Sequence, residues 1–94
     1  MKAVHILQMI LEKHPEPKGK QFLVSYDLMM ELGNEPLIKF NEQNEASYYG
    51  HGISTHYLLK PQTAMLLSER DFNATVEQLT KLMLNNEQDQ QSNP

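Results

Sequence analysis

The chain contains no cysteine. Disulfides, thiolate metal sites and a cysteine nucleophile are therefore excluded together. The absence also suits a cytoplasmic protein, since thiols and disulfides track the redox compartment. Long hydrophobic runs are missing too. The longest is Ala64-Met65-Leu66-Leu67, against the roughly 20 apolar residues that span a bilayer. The start, Met1-Lys2-Ala3-Val4-His5-Ile6-Leu7, opens like a signal peptide. His5 and Gln8 interrupt its apolar part, however, and Glu12-Lys13-His14 stands where small residues would mark cleavage. It reads as a helix.

Basic charge is scarce. Eight Lys and Arg face twelve Asp and Glu, a formal net charge of −4 at pH 7. Nucleic-acid binding draws most of its affinity from basic contacts to phosphate. Here the densest basic stretch is only Lys18-Gly19-Lys20. Glycine loops of the phosphate-cradling kind are absent as well. Gly50 and Gly52 have neither the following Lys-Ser/Thr nor a helix behind them.

What is present is one domain's worth of ordinary globular sequence: 94 residues, 39% apolar and 21% charged. Val4, Leu7, Ile10 and Leu11 share one helical face, widened by Ala3 and Ile6, so residues 3–13 are predicted helical. Pro15 and Pro17 stop that helix, and His14 to Lys20 is a loop. After the short apolar stretch Phe22-Leu23-Val24, Ser25 offers a helix cap and Asp27 favours the helix N-terminus. Leu28, Met29 and Leu32 supply that helix's apolar face. Gly33 ends it in a left-handed turn, and Asn34 and Pro36 start a third helix reaching about Gln43. Leu37, Ile38 and Phe40 of this third helix are expected to turn inward.

The pattern changes at Ala46. Ser47-Tyr48-Tyr49 and Ile53-Ser54-Thr55-His56-Tyr57-Leu58 read as two strands about Gly50-His51-Gly52. Pro61 opens a helix carrying Ala64, Met65 and Leu67. Asp71 or Asn73 caps a final helix with the stripe Phe72, Val76, Leu79 and Met83. The expected fold class is α+β: a small helical domain with a two-stranded antiparallel hairpin and a C-terminal amphipathic helix. Residues 1–85 form a single interaction domain, and residues 86–94, almost wholly polar, a disordered tail.

Candidate chemistry is thin. His51 and His56 lie five residues apart, but no third ligand stands at metal-binding spacing. They read as exposed hairpin histidines, with no metal and no cofactor. Ser25, Asp27 and Ser54 can be matched with a histidine on paper, yet no nucleophile-elbow glycines surround a serine. Glu42 and Glu45 sit in a polar stretch where nothing separates their pKa values. Asn73-Ala74-Thr75 matches a glycosylation sequon and reads more plainly as a helix start. No catalytic residues are assigned, and the chain is not expected to be an enzyme. Two features suit a partner instead. Met30 lies off its helix's apolar stripe, and methionine serves adaptable interfaces. Tyr48 and Tyr49 are adjacent, so in a strand one must face outward, where tyrosine is an interface anchor. The predicted partner-binding set is Tyr48, Tyr49, His51, His56 and Met30.

The stretch Gly52-Ile53-Ser54-Thr55-His56-Tyr57-Leu58-Leu59-Lys60-Pro61-Gln62-Thr63-Ala64-Met65-Leu66-Leu67, with Thr75 to Leu82 after it, resembles phage regulatory proteins of the Rha and antirepressor type. Phe22-Leu23-Val24-Ser25-Tyr26-Asp27-Leu28-Met29-Met30-Glu31-Leu32-Gly33 is similar to the beginning of their helix-turn-helix. The resemblance spans residues 22–84 and is a pattern of residue types. A DNA-reading version needs Lys, Arg, Asn or Gln aimed at bases and phosphates after Gly33. Here Glu35-Pro36-Leu37-Ile38-Lys39-Phe40-Asn41-Glu42 stands in that place, and carboxylates are repelled by phosphate. The resemblance therefore implies a small prophage antirepressor, active in transcription regulation, that binds a phage repressor protein and blocks its operator binding. It would work in the cytoplasm, as a homo-oligomer, without direct nucleic-acid or membrane binding. The alternatives are a helix-turn-helix-like DNA-binding regulator using residues 25–42, and a phage-encoded inhibitor of a host enzyme or defence complex.

Overall fold

The computed structural model describes the backbone of residues 1–92 and the side chains of residues 1–84. The fold is α+β. Helix α1 (Ala3–Lys13) leads through the proline-bearing loop to strand β1 (Gln21–Val24) and helix α2 (Tyr26–Leu32). Strands β2 (Lys39–Phe40), β3 (Ala46–Tyr48), β4 (His51–Thr55) and β5 (Ala64–Leu67) follow, then helix α3 (Glu69–Ser92). The expected hairpin is the β3–β4 pair of a larger, five-stranded sheet of order β2-β3-β4-β1-β5. β1 pairs parallel with β4 and antiparallel with β5, so the first strand of the chain is enclosed inside the sheet between two others.

Interior position explains the sequence of β1. Phe22 and Val24 face α1 and α2, while Leu23 faces the side where α3 packs on β1 and β5, and all three are buried. A strand buried on both faces carries an unbroken apolar run without alternation. The main core joins Leu7 and Val4 of α1, Leu28 and Leu32 of α2, and Phe22, Val24, Tyr48, Ile53 and Leu66 of the sheet. Helix α1 has no side-chain cap of its own. The Glu31 carboxylate of α2 accepts the Ala3 N–H at 3.0 Å instead. That contact places a negative charge at a helix N-terminus, where the dipole favours it.

Several expectations are corrected. Residues 34–43 form no helix. Gly33 closes α2 in the right-handed region at φ −60, not the left-handed one. Tight turns through Glu35 and Ile38 then lead into β2. Asn41 overrides the helix signals of Asn34 and Pro36: its Oδ1 accepts the N–H groups of Gln43 (3.0 Å) and Glu45 (2.8 Å) and writes the β2–β3 turn. Ile38 is buried as expected, but Leu37 and Phe40 are exposed. The helix expected after Pro61 is strand β5, drawn out by pairing with β1. The second hairpin strand ends at Thr55, with His56 to Leu59 in a turn. The final helix begins earlier than expected, capped by Ser68, whose Oγ accepts the Asp71 N–H at 3.2 Å. The expected polar tail, residues 86–94, coincides with the last turns of α3 and with residues 93 and 94, which lie outside the described residues. No helix among the described residues is long and apolar enough to cross a membrane.

Candidate functional site

The β3–β4 hairpin turns through Tyr49 and Gly50, one residue earlier than the glycine pattern suggests. Both residues have positive φ, 48° and 80°. A two-residue hairpin loop of this hand requires that, and normally uses Asn-Gly or Asp-Gly. A tyrosine held there is strained by about 1–3 kcal/mol. It is also 71% exposed. Its ring meets Tyr48 edge-on at 4.6 Å and 75°.

Tyr48 is the inward member of the pair. It is buried, with its ring tilted on Phe22 at 6.4 Å. Burial, then the neighbouring Tyr49, Glu12 and Glu35, pushes the Tyr48 hydroxyl above its ordinary pKa. Beside the hairpin, Leu37, Leu11, Gln8 and Glu12 join the two tyrosines around a shallow cleft of about 310 Å³. Leu37 is 49% exposed. The surface is thus an exposed aromatic and an exposed leucine above a buried aromatic floor, with the Glu12 carboxylate beside them.

The other expected contact residues divide. His51 is half-buried rather than exposed. Its Nδ1–H donates to the Lys20 carbonyl at 2.8 Å, and its ring meets Phe22 edge-on at 6.0 Å. It fastens the α1–β1 loop to β4. His56 lies beyond the far end of β4, about 17 Å from His51 at strand rise. It stacks on exposed Tyr57 at 5.2 Å and accepts the Leu58 N–H at 3.2 Å. Met30 is exposed on the outer face of α2, one turn after exposed Tyr26. The fold therefore gathers Tyr48, Tyr49 and His51 at one end and leaves His56 at the other. Leu37 and Glu12 complete the cleft and were missed, because a helix over 34–43 would have turned Leu37 inward.

At the opposite end, Ser25 and Asp27 form a clamp. Ser25 is buried. Its N–H donates to the Thr63 carbonyl at 2.8 Å, and its Oγ accepts the Thr63 N–H at 3.1 Å. The Asp27 carboxylate accepts the Gln62 N–H (3.1 Å) and Nε2–H (2.8 Å). The Ser25 hydroxyl, the largest influence, holds the Asp27 carboxyl below its ordinary pKa against desolvation, with Gln62 and the Leu28 backbone adding to the lowering. Among the described residues, no three His, Asp or Glu side chains converge on a point where a metal ion could sit. No protein-family model, curated protein or solved structure matches the chain.

Proposed function

We propose that this protein is a small antirepressor: a homo-oligomer that captures a phage repressor protein through the hairpin cleft and prevents operator binding. The observation that carries it is Tyr49, an exposed aromatic in a strained left-handed turn beside exposed Leu37. Backbone strain persists where a side chain must be presented in one place. A rigid tyrosine and a leucine over a buried floor have the make-up of a binding hot spot. The Glu12 carboxylate of the cleft lining, with the Glu35 charge acting on Tyr48, suits the basic face of a DNA-binding protein, speeding encounter and excluding acidic partners. A helix-turn-helix regulator is disfavoured because residues 34–43 form turns and a short strand where a recognition helix would follow α2.

The test is a gel shift with repressor purified after pull-down from lysogen extract. The protein should release operator DNA from a pre-formed repressor complex and shift no DNA by itself. Tyr49→Ala should abolish the release while leaving the thermal melt intact. Sequence-specific operator binding by this chain alone, at physiological salt, would overturn the proposal.

A further inference from the structure

We propose that the outer edge of β5 is the seam of a two-fold homodimer, in which β5 of a second copy continues the sheet. This deepens the homo-oligomer of the preceding proposal and uses a different surface from the hairpin cleft. β5 is the last strand of the sheet. Thr63 bonds inward to Ser25, so by antiparallel alternation Met65 and Leu67 also bond to β1. Ala64 and Leu66 therefore turn their N–H and C=O groups outward. Natural sheets blunt such edges with charge, proline, bulges or shortness. The opposite edge obeys: β2 has two residues, and one is Lys39. Ala64–Leu67 has no charge, no proline and a regular register over its whole length.

The apolar flank of α1 adjoins the same edge. Leu11 and Glu12 of α1 line the cleft beside β3, on the far side of the sheet from β5. Helical spacing puts Ile6, Met9 and Ile10 on the other flank, toward β5, which α1 also contacts. These three residues, with Met1, Lys13 and His14, line an open groove of about 400 Å³.

A second copy meets every requirement at once. With the two-fold axis at Met65, Ala64 of one copy lies opposite Leu66 of the other, and their outward groups exchange two reciprocal pairs of backbone hydrogen bonds. Each α1 flank then packs on its equivalent. Lys60 stands before the strand, with Glu69, Arg70 and Asp71 after it, a triplet that is acidic on balance. The antiparallel arrangement brings Lys60 of each copy toward that triplet of the other.

Light scattering over a dilution series tests this on the full chain. The expected mass at high micromolar concentration is twice 10.9 kDa. Hydrogen exchange at the Ala64 and Leu66 amides should slow as concentration rises. Met9→Lys and Ala64→Pro should each raise the dissociation constant by at least about tenfold. Ala64→Pro removes only an outward N–H. Should it unfold the chain, Met9→Lys, at an exposed position, decides. Tyr49→Ala should leave the dimer intact, so loss of repressor release and loss of dimer are separable. A monomer mass at all concentrations overturns the proposal. So does a dimer that keeps its affinity in both variants, or protection of the two amides that appears only when another protein is added.

Discussion

Two non-glycine residues at opposite ends of the sheet share the left-handed conformation: Gln62 at φ 62° and Tyr49 at φ 48°. Gln62 is held by Asp27 through both its backbone N–H and its side-chain amide, and the adjoining Thr63 by Ser25. Those bonds fix the crossing from β4 over the end of β1 into β5, and they account for the conformation. Tyr49 has nothing comparable. Its ring touches Tyr48 edge-on and otherwise stands in solvent. The same backbone strain serves the fold at one end. At the other it presents a side chain.

The sharpest way to break this comparison is at the clamp. Ser25→Ala leaves the half-buried Thr63 N–H without its acceptor. It should cost about 1–3 kcal/mol in urea denaturation. No loss would mean the clamp does not fix the crossing. At the hairpin, Tyr49→Ala should weaken repressor binding by more than about 1 kcal/mol in calorimetry, with little change in urea midpoint. A large fall in stability instead would make Tyr49 a structural residue like Gln62.

A subtler contrast comes from relieving the strain. Tyr49→Asn installs Asn-Gly, the preferred pair for this turn. It should stabilise the protein by about 0.5–1 kcal/mol while lowering repressor binding. Gln62→Gly relieves the same strain but loses the amide bond to Asp27, so no gain in melting temperature is expected. Equal gains at both positions would erase the distinction.

The smallest effect is in acid. The Asp27 carboxyl is lowered by Ser25 and Gln62. Its contribution is therefore fully present above the unfolded carboxylate pKa. It is lost as pH falls through the lowered folded value. Asp27→Asn should flatten that part of the melting-temperature profile and leave the neutral-to-basic part parallel to the parent. An unchanged acid limb would show that Asp27 titrates alike in both states.

Much of the outline was legible from residues alone. Helix α1 announces itself by period and by Pro15, which forces His14 into extended backbone. The β3–β4 hairpin follows from its tyrosines and glycines, and α3 from the stripe Phe72, Val76, Leu79 and Met83. All four stripe residues are half-buried, and Met83 receives the Tyr57 hydroxyl. β1 and β5 were not legible. Phe22-Leu23-Val24 and Ala64-Met65-Leu66-Leu67 are short apolar runs with no alternation, and a run of that kind has no period to read. Ala, Met and Leu lean toward helix, so β5 looked helical until pairing with β1 decided otherwise. The candidate site was half legible. Adjacent tyrosines in a strand must diverge, which singles out one exposed aromatic. Which one, and that Leu37 joins it, depended on the register Tyr48↔His51 and on the turn written by Asn41.

Local chemistry by itself determined the C-terminal end of α1, the turn at Gly50 and the amphipathic face of α3. Each depends on residues within a few positions of one another. Only the tertiary structure decided that β1 lies inside the sheet between β4 and β5, that β5 is a strand with an open edge, and that Tyr48 is core while Tyr49 is presented. Those outcomes rest on hydrogen bonds and burial between residues some 30 to 45 positions apart, such as Phe22 with Ile53 and Leu66. Such long-range pairing can outweigh the weak conformational preference of a four-residue segment.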